Sequence, residues 1–196
     1  MRKQIDRQQR EERILLSLKK CDYLTRSQLQ VMHGLGSARN ASRVMQQLGE
    51  YVSSFRDSEA VFYLHREGRE RVGAKKVRKK STTAQHYIMR NAVYIAFGCP
   101  ATWRNEMRLG VKGKVNVICD AYFVRDKRYH IVEVDNTQKM AKNRSKVDRY
   151  RKLIGLGVFE QPPQFIWMTT TDYRRKQLLA LCEGLDVKVF TAKDFI

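Results

Sequence analysis

The sequence predicts an α+β protein in two parts: a helical first part closed by a strand hairpin, and a second part in which helices and strands alternate around a mixed sheet. Three observations carry that prediction. Before residue 50, apolar residues recur at helical spacing through three short segments, and two strand-like segments separated by a polar turn follow. Past residue 80 the pattern changes, with one helical segment, three alternating ones, and then helix, strand, helix and strand, an αβββαβαβ order. Between the two parts Lys75, Lys76, Arg78, Lys79 and Lys80 crowd together with no apolar period to bury. A chain of 196 residues accommodates two domains of ~100 residues each. The expected division is a first domain over 1–73, a basic linker over 74–81 and a second domain over 82–196.

Each element has a local reason. In EERILLSLKK (11–20), Ile14, Leu15 and Leu18 share one face, with acids early and lysines late as the helix dipole favours. Thr25 can cap a second helix carrying Leu29, Val31 and Met32, which Gly34 and Gly36 end and turn. Ser37 can cap a third, to about Gly49, with Ala41, Val44, Met45 and Leu48 inward. YVSSFRDSEAVFYLHREG then reads as strand, turn at Arg56 to Glu59, and strand. Three helices and a ribbon are the order of a winged helix-turn-helix domain. In the second part, His86, Met89, Val93 and Phe97 mark a helix from Thr83 to Phe97. Strands are expected around 103–109, 115–124 and 129–135, the last two joined by the turn RDKR. A basic helix over 139–156, the strand PPQFIWMTTT, the helix DYRRKQLLALCEGL and the strand DVKVFT complete the order.

Charge points to the partner. Lys plus Arg number 39 against 20 for Asp plus Glu, a formal net charge of +19. Both halves are basic, with 19 cations and 9 acids up to Lys80 and 20 and 11 beyond it. A polyanion, above all double-stranded DNA, is the expected partner, and a homodimer is compatible with the same reading. The 42% hydrophobic content excludes a disordered basic tail. The sequence has no apolar run long enough for a membrane span or a signal peptide, so a cytoplasmic protein without a membrane partner is expected. Cys21, Cys99, Cys119 and Cys182 stand far apart and read as free thiols, and neither GLG motif has the surroundings of a phosphate loop.

Two groups of residues suggest binding or chemistry. Ser37, Arg39, Asn40, Arg43, Gln46 and Gln47 lie on the third helix. Arg can pair bidentately with guanine, and Asn or Gln with adenine, when a helix enters the major groove. The alternative is a solvated helix face. Arg56 at the hairpin turn and Lys75, Lys76, Arg78, Lys79 and Lys80 in the linker are expected on phosphates, where charge gives affinity without sequence information. The second group is Asp120, Glu133 and Asp135. Strand alternation puts Glu133 and Asp135 on one face, and the hairpin brings Asp120 alongside, with Glu106 on the preceding strand near enough to join. Such a trio can hold Mg2+ or Mn2+ to polarise a phosphate and activate water. Equally, the acids can pair with Lys142, Arg144 or Lys146 on the next helix.

The stretch CDAYFVRDKRYHIVEVDNTQKMAKNRSKVDRY, an Asp, a turn, a Glu-x-Asp and then a helix with Lys and Tyr, resembles the replication-relaxation family of plasmids, integrative elements and phages. That resemblance implies a winged helix joined to a domain similar to the PD-(D/E)xK nuclease fold, a DNA-binding protein controlling the replication, transfer or transcription of a mobile element. It implies acidic motif positions at Asp120 and Glu133, candidate metal ligands, with Lys146 and Tyr150 on the helix behind them. The sequence departs from the nuclease motif where Asp135 stands in place of the lysine two residues after the second acid. Lys139, Lys142 or Lys146 are the lysines that could substitute. A nuclease-like domain without hydrolysis is therefore the favoured expectation, and a metal-dependent endonuclease using Asp120 and Glu133 the alternative. On this reading Asp135→Lys restores the motif.

Overall fold

A computed structural model describes residues 2–195. By internal contacts they fall into two compact units divided between Asn91 and Ala92, so residues 82–91, expected in the second domain, group with the first unit.

The first unit runs α1 (Arg2–Cys21), β1 (Leu24–Thr25), α2 (Arg26–His33), α3 (Ala38–Gln47), β2 (Val52–Arg56), β3 (Ala60–Leu64) and α4 (Arg66–Val72). Helix α1 starts well before residue 11. Residues 4–9 are exposed and lack an apolar period, but Arg, Gln and Glu are good helix formers and Arg7 pairs with Glu11 at 2.8 Å. Thr25 caps α2 and closes a capping box with Gln28, and Gly34 ends it in the left-handed region. Of the apolar residues carried by α2, Leu29 is buried but Val31 is 69% exposed. Ile14, Leu15, Leu18, Leu29, Val44 and Leu48 are buried. Strand β3 is central in a three-stranded antiparallel sheet ordered β1-β3-β2.

The sequence reading missed β1, which is only two residues long, and α4, which carries a single large apolar residue, Val72. Helix α4 is set by close approach. A Cβ on buried Gly68 would lie 2.0 Å from the Tyr51 carbonyl oxygen, so only glycine lets the helix seat there. Residues 74–80 form no helix or strand, yet Arg78 donates two hydrogen bonds to Asp22 Oδ1, at 2.9 and 2.7 Å, and Tyr23 donates to the Lys79 carbonyl.

Helix α5 (Ala84–Ala96) contains the division between the units. The second unit continues with β4 (Arg104–Val111), β5 (Val115–Arg125), β6 (Arg128–Asp135), α6 (Met140–Gly155), β7 (Gln164–Thr169), α7 (Asp172–Leu181) and β8 (Val187–Thr191), ending in a 3-10 turn. The five strands lie in chain order, antiparallel through β6 and parallel beyond it, the mixed sheet that alternating helices produce. Asp126 and Lys127 both take positive φ, which fits a two-residue hairpin turn. One core joins the sheet to α6 and α7 through Cys119, Ile131, Val147, Tyr150, Leu153, Phe165, Trp167 and Leu178. Cys21, Cys119 and Cys182 are buried thiols and Cys99 is half-exposed.

Candidate functional site: a polar helix face and a carboxylate–lysine cluster

In the first unit, the Ser37 hydroxyl accepts from the Asn40 N–H and so starts α3. Ala41, Val44 and Met45 turn inward, which leaves Arg39, Arg43, Gln46 and Gln47 exposed together. Asn40 is half-buried and committed to the turn. It donates to the Leu35 carbonyl at 2.7 Å and accepts from Arg43 at 2.8 Å, which steadies the arginine rather than leaving Asn40 free. Arg56, at the end of β2, is exposed. The turn after it is held by Glu59, which accepts from the Ser27 backbone N–H at 2.9 Å and from the Ser27 hydroxyl. Lys75, Lys76, Lys79 and Lys80 are exposed, whereas Arg78 is drawn onto Asp22.

In the second unit, Asp120 and Glu133 come together and Asp135 does not join them. Asp120 Oδ2 accepts from the Val134 N–H at 2.7 Å, where β5 and β6 part. Val117, Cys119 and, in part, Tyr122 pack on one core, and β5 keeps the same register with β4 on either side of Asp120. The opposite position on β4 is Glu106, a non-glycine residue at φ +53°.

Glu133 is fully buried and accepts from Lys146 on one oxygen and from the Tyr150 hydroxyl on the other. Lys146 also lies 3.9 Å from Asp120 Oδ2. Burial, with the Asp120 charge beside it, pushes the Glu133 carboxyl well above the ordinary range. Burial opposes the charge on Lys146 too, but Glu133 and Asp120 outweigh it and hold the ammonium protonated to higher pH. Burial and the Glu133 charge push the Cys119 thiol up to about 12. Tyr150 is raised for the same reasons and serves as a donor.

Asp135, also fully buried, is clamped elsewhere. Arg174 donates to both its oxygens, at 2.7 and 2.6 Å, and Asn143 and Thr169 donate at 2.8 and 2.7 Å. Burial works against its charge, but these donors prevail and hold the carboxyl below its ordinary value. Asp135→Lys would therefore set two cations against each other in a buried position, so the substitution does not rebuild a nuclease motif. Among the described residues no group of three His, Cys, Asp or Glu side chains is arranged to hold a metal ion. With both Glu133 oxygens taken and Lys146 supplying the cation, the donor set does not fit a divalent metal as it stands. Arg174, Asn143 and Thr169 were not legible as partners of Asp135. Their one sequence signal is the inner stripe of α6, where Asn143 precedes Val147 and Tyr150 at helical spacing.

The replication-relaxation family model matches residues 15–167. The chain belongs to the replication-relaxation family. Membership points to a role in replication and covers both units, including the Asp120 to Tyr150 stretch. No curated protein matches this replication-relaxation chain significantly. Among solved structures, protein VC1899 from Vibrio cholerae is similar at 11% identity and a TM-score of 0.42, over 95% of this chain. The chain spans about half, 53%, of that protein's length. Among the described residues no helix is long and apolar enough to cross a membrane.

Proposed function

We propose that this replication-relaxation protein is a double-stranded DNA-binding protein of a mobile genetic element, acting in the cytoplasm to control the element's replication, transfer or transcription. Residues 1–73 serve as a winged-helix reader and 74–81 as a basic phosphate-contacting linker. The second unit serves as a PD-(D/E)xK-like domain that assists assembly without cutting DNA. The observation that carries the reading is the outward face of α3, where Arg39, Arg43, Gln46 and Gln47 stand exposed beside an anchored turn. These side chains match base edges in the major groove, and the +19 charge supplies the phosphate attraction.

The test is Arg43→Ala on a duplex selected by the parent protein from a random pool. The substitution should cost ~1–3 kcal/mol on the selected site and little on random DNA at the same salt. Equal binding of variant and parent to the selected site would remove α3 as the reader.

One observation favours a second reading, a metal-dependent endonuclease: Asp120, Glu133, Lys146 and Tyr150 meet at a backbone irregularity. Purified protein should nevertheless leave supercoiled, linear and branched DNA intact with Mg2+ or Mn2+ while still shifting duplex in a gel, because Lys146 and Tyr150 occupy the Glu133 oxygens. Metal-dependent cutting that is lost in both Asp120→Ala and Glu133→Ala would make the enzyme reading the leading one.

A further inference from the structure

The β4–β5 hairpin is longer than the sheet it belongs to. Pairing of β5 with β6 begins only at Ala121, so from Val115 to Cys119 strand β5 pairs with β4 alone. One face of this ribbon, with Met107, Leu109, Val117 and Cys119, packs on the core shared with α6. The other carries Arg108 opposite Ile118 and Gly110 opposite Asn116, all exposed. Lys112 and Lys114 flank Gly113 in the turn at its tip.

Three observations suggest what this face takes. First, its cations are uncommitted: among the described residues the side chains of Arg108, Lys112 and Lys114 have no ion-pair or hydrogen-bond partner. Arg128 and Arg175 of the same unit are held by Asp186 and Asp194. Secondly, the surface is concave, a groove of about 620 Å³ lined by Arg108, Lys112, Lys114 and Asn116 along the hairpin tip. Gly110 in its lining lets the paired strands approach closely, since a Cβ there would meet the Val115 carbonyl oxygen at 2.6 Å. Thirdly, Ile118 is 47% exposed between the charges. Guarding an edge strand calls for charge along β4, but it explains neither the turn lysines nor Asn116 and Ile118 on the inner strand. A two-stranded ribbon fits a DNA groove, where cations reach phosphates on its walls and an aliphatic side chain meets sugar.

We infer that the exposed face of the β4–β5 ribbon is a second DNA-contacting surface, which binds the phosphate backbone of duplex DNA without reading its sequence. The inference rests on the DNA-binding reading above and adds a contact made by the second unit itself.

The experiment uses the full chain and a random-sequence duplex, with affinity measured by fluorescence anisotropy across a potassium chloride series. Arg108→Gln, Lys112→Gln and Lys114→Gln combined should lower the slope of log affinity against log salt by about 2 to 3, since each phosphate contact contributes roughly 0.9. The turn pair Lys112→Gln and Lys114→Gln, outside the strands, should lower it by about 2 and serves if the triple variant folds poorly. A control triple, Lys176→Gln, Lys188→Gln and Lys193→Gln, removes the same charge from exposed positions elsewhere in the unit and should leave the slope near the parent's. A turn-pair slope equal to the parent's overturns the ribbon surface while the DNA-binding reading stands, as it would if the face served an acidic protein instead. A control triple that shifts the slope as much as the ribbon triple also overturns it, by reducing the effect to net charge. A parent protein that binds no duplex overturns the DNA-binding reading, and the ribbon surface with it.

Discussion

Asp135→Ala should destabilise the second unit by about 3–5 kcal/mol, the usual cost of breaking a buried ion pair from one side. Arg174 would lose both carboxylate bonds, and Asn143 and Thr169 an acceptor each. The Arg174 side chain is 23% exposed, so water relieves part of the loss and favours the lower end of that range. Both tryptophans of the chain, Trp103 and Trp167, are buried in this unit, so denaturant unfolding followed by their fluorescence measures the effect there. The pH dependence has a definite sign. Asp135 is held below its ordinary value of 3.8, so its contribution is complete above that pH and is lost as the pH falls through the lower folded value. Parent and variant should therefore converge in acid. Glu133 acts in the opposite direction: its contribution is complete below its ordinary value of 4.5 and is lost as the pH rises toward its raised folded value. A variant within about 1 kcal/mol of the parent at neutral pH would mean that the Arg174 clamp does not hold the fold.

The second large effect belongs to the first unit. Asp22, 4% exposed, accepts from Arg78 on one oxygen and from Arg90 on the other, the latter at 3.2 Å. Arg90 is itself 1% exposed, and both guanidinium groups lie over the ring of Tyr87. Asp22→Ala should cost about 3–5 kcal/mol because it strands a buried arginine. Asp22 also sits at φ +69°, a region that aspartate and asparagine tolerate better than alanine. Asp22→Asn keeps the turn and one acceptor and should cost clearly less. Thermal unfolding by circular dichroism compares the two variants, and equal small losses in both would show that the arginines need no counter-charge there.

Each buried acid with a guanidinium partner thus has a structural explanation. The pair of acids left over, Asp120 and Glu133, shares Lys146, and Glu133 also accepts from the Tyr150 hydroxyl. On the proposed DNA-binding reading the chain has two cationic surfaces, α3 with the hairpin turn in one unit and the β4–β5 ribbon in the other.

By itself the sequence determined the kinds of element and their order. Helical spacing at Ile14, Leu15 and Leu18, the caps at Thr25 and Ser37, and alternation from Val115 onward are local signals, set within a few residues by backbone geometry and by which face meets water. The charge balance and the outward polar face of α3 were legible for the same reason. Only the tertiary structure decided the fate of the acids. Spacing places Asp120, Glu133 and Asp135 near one another, but Arg174 comes from 39 residues further along the chain and takes Asp135 out of the set. Helix α4 needed the Tyr51 carbonyl to give meaning to Gly68. In each case a short-range pattern set what was possible, and a partner distant in sequence chose among the possibilities by burying a charge or excluding a side chain.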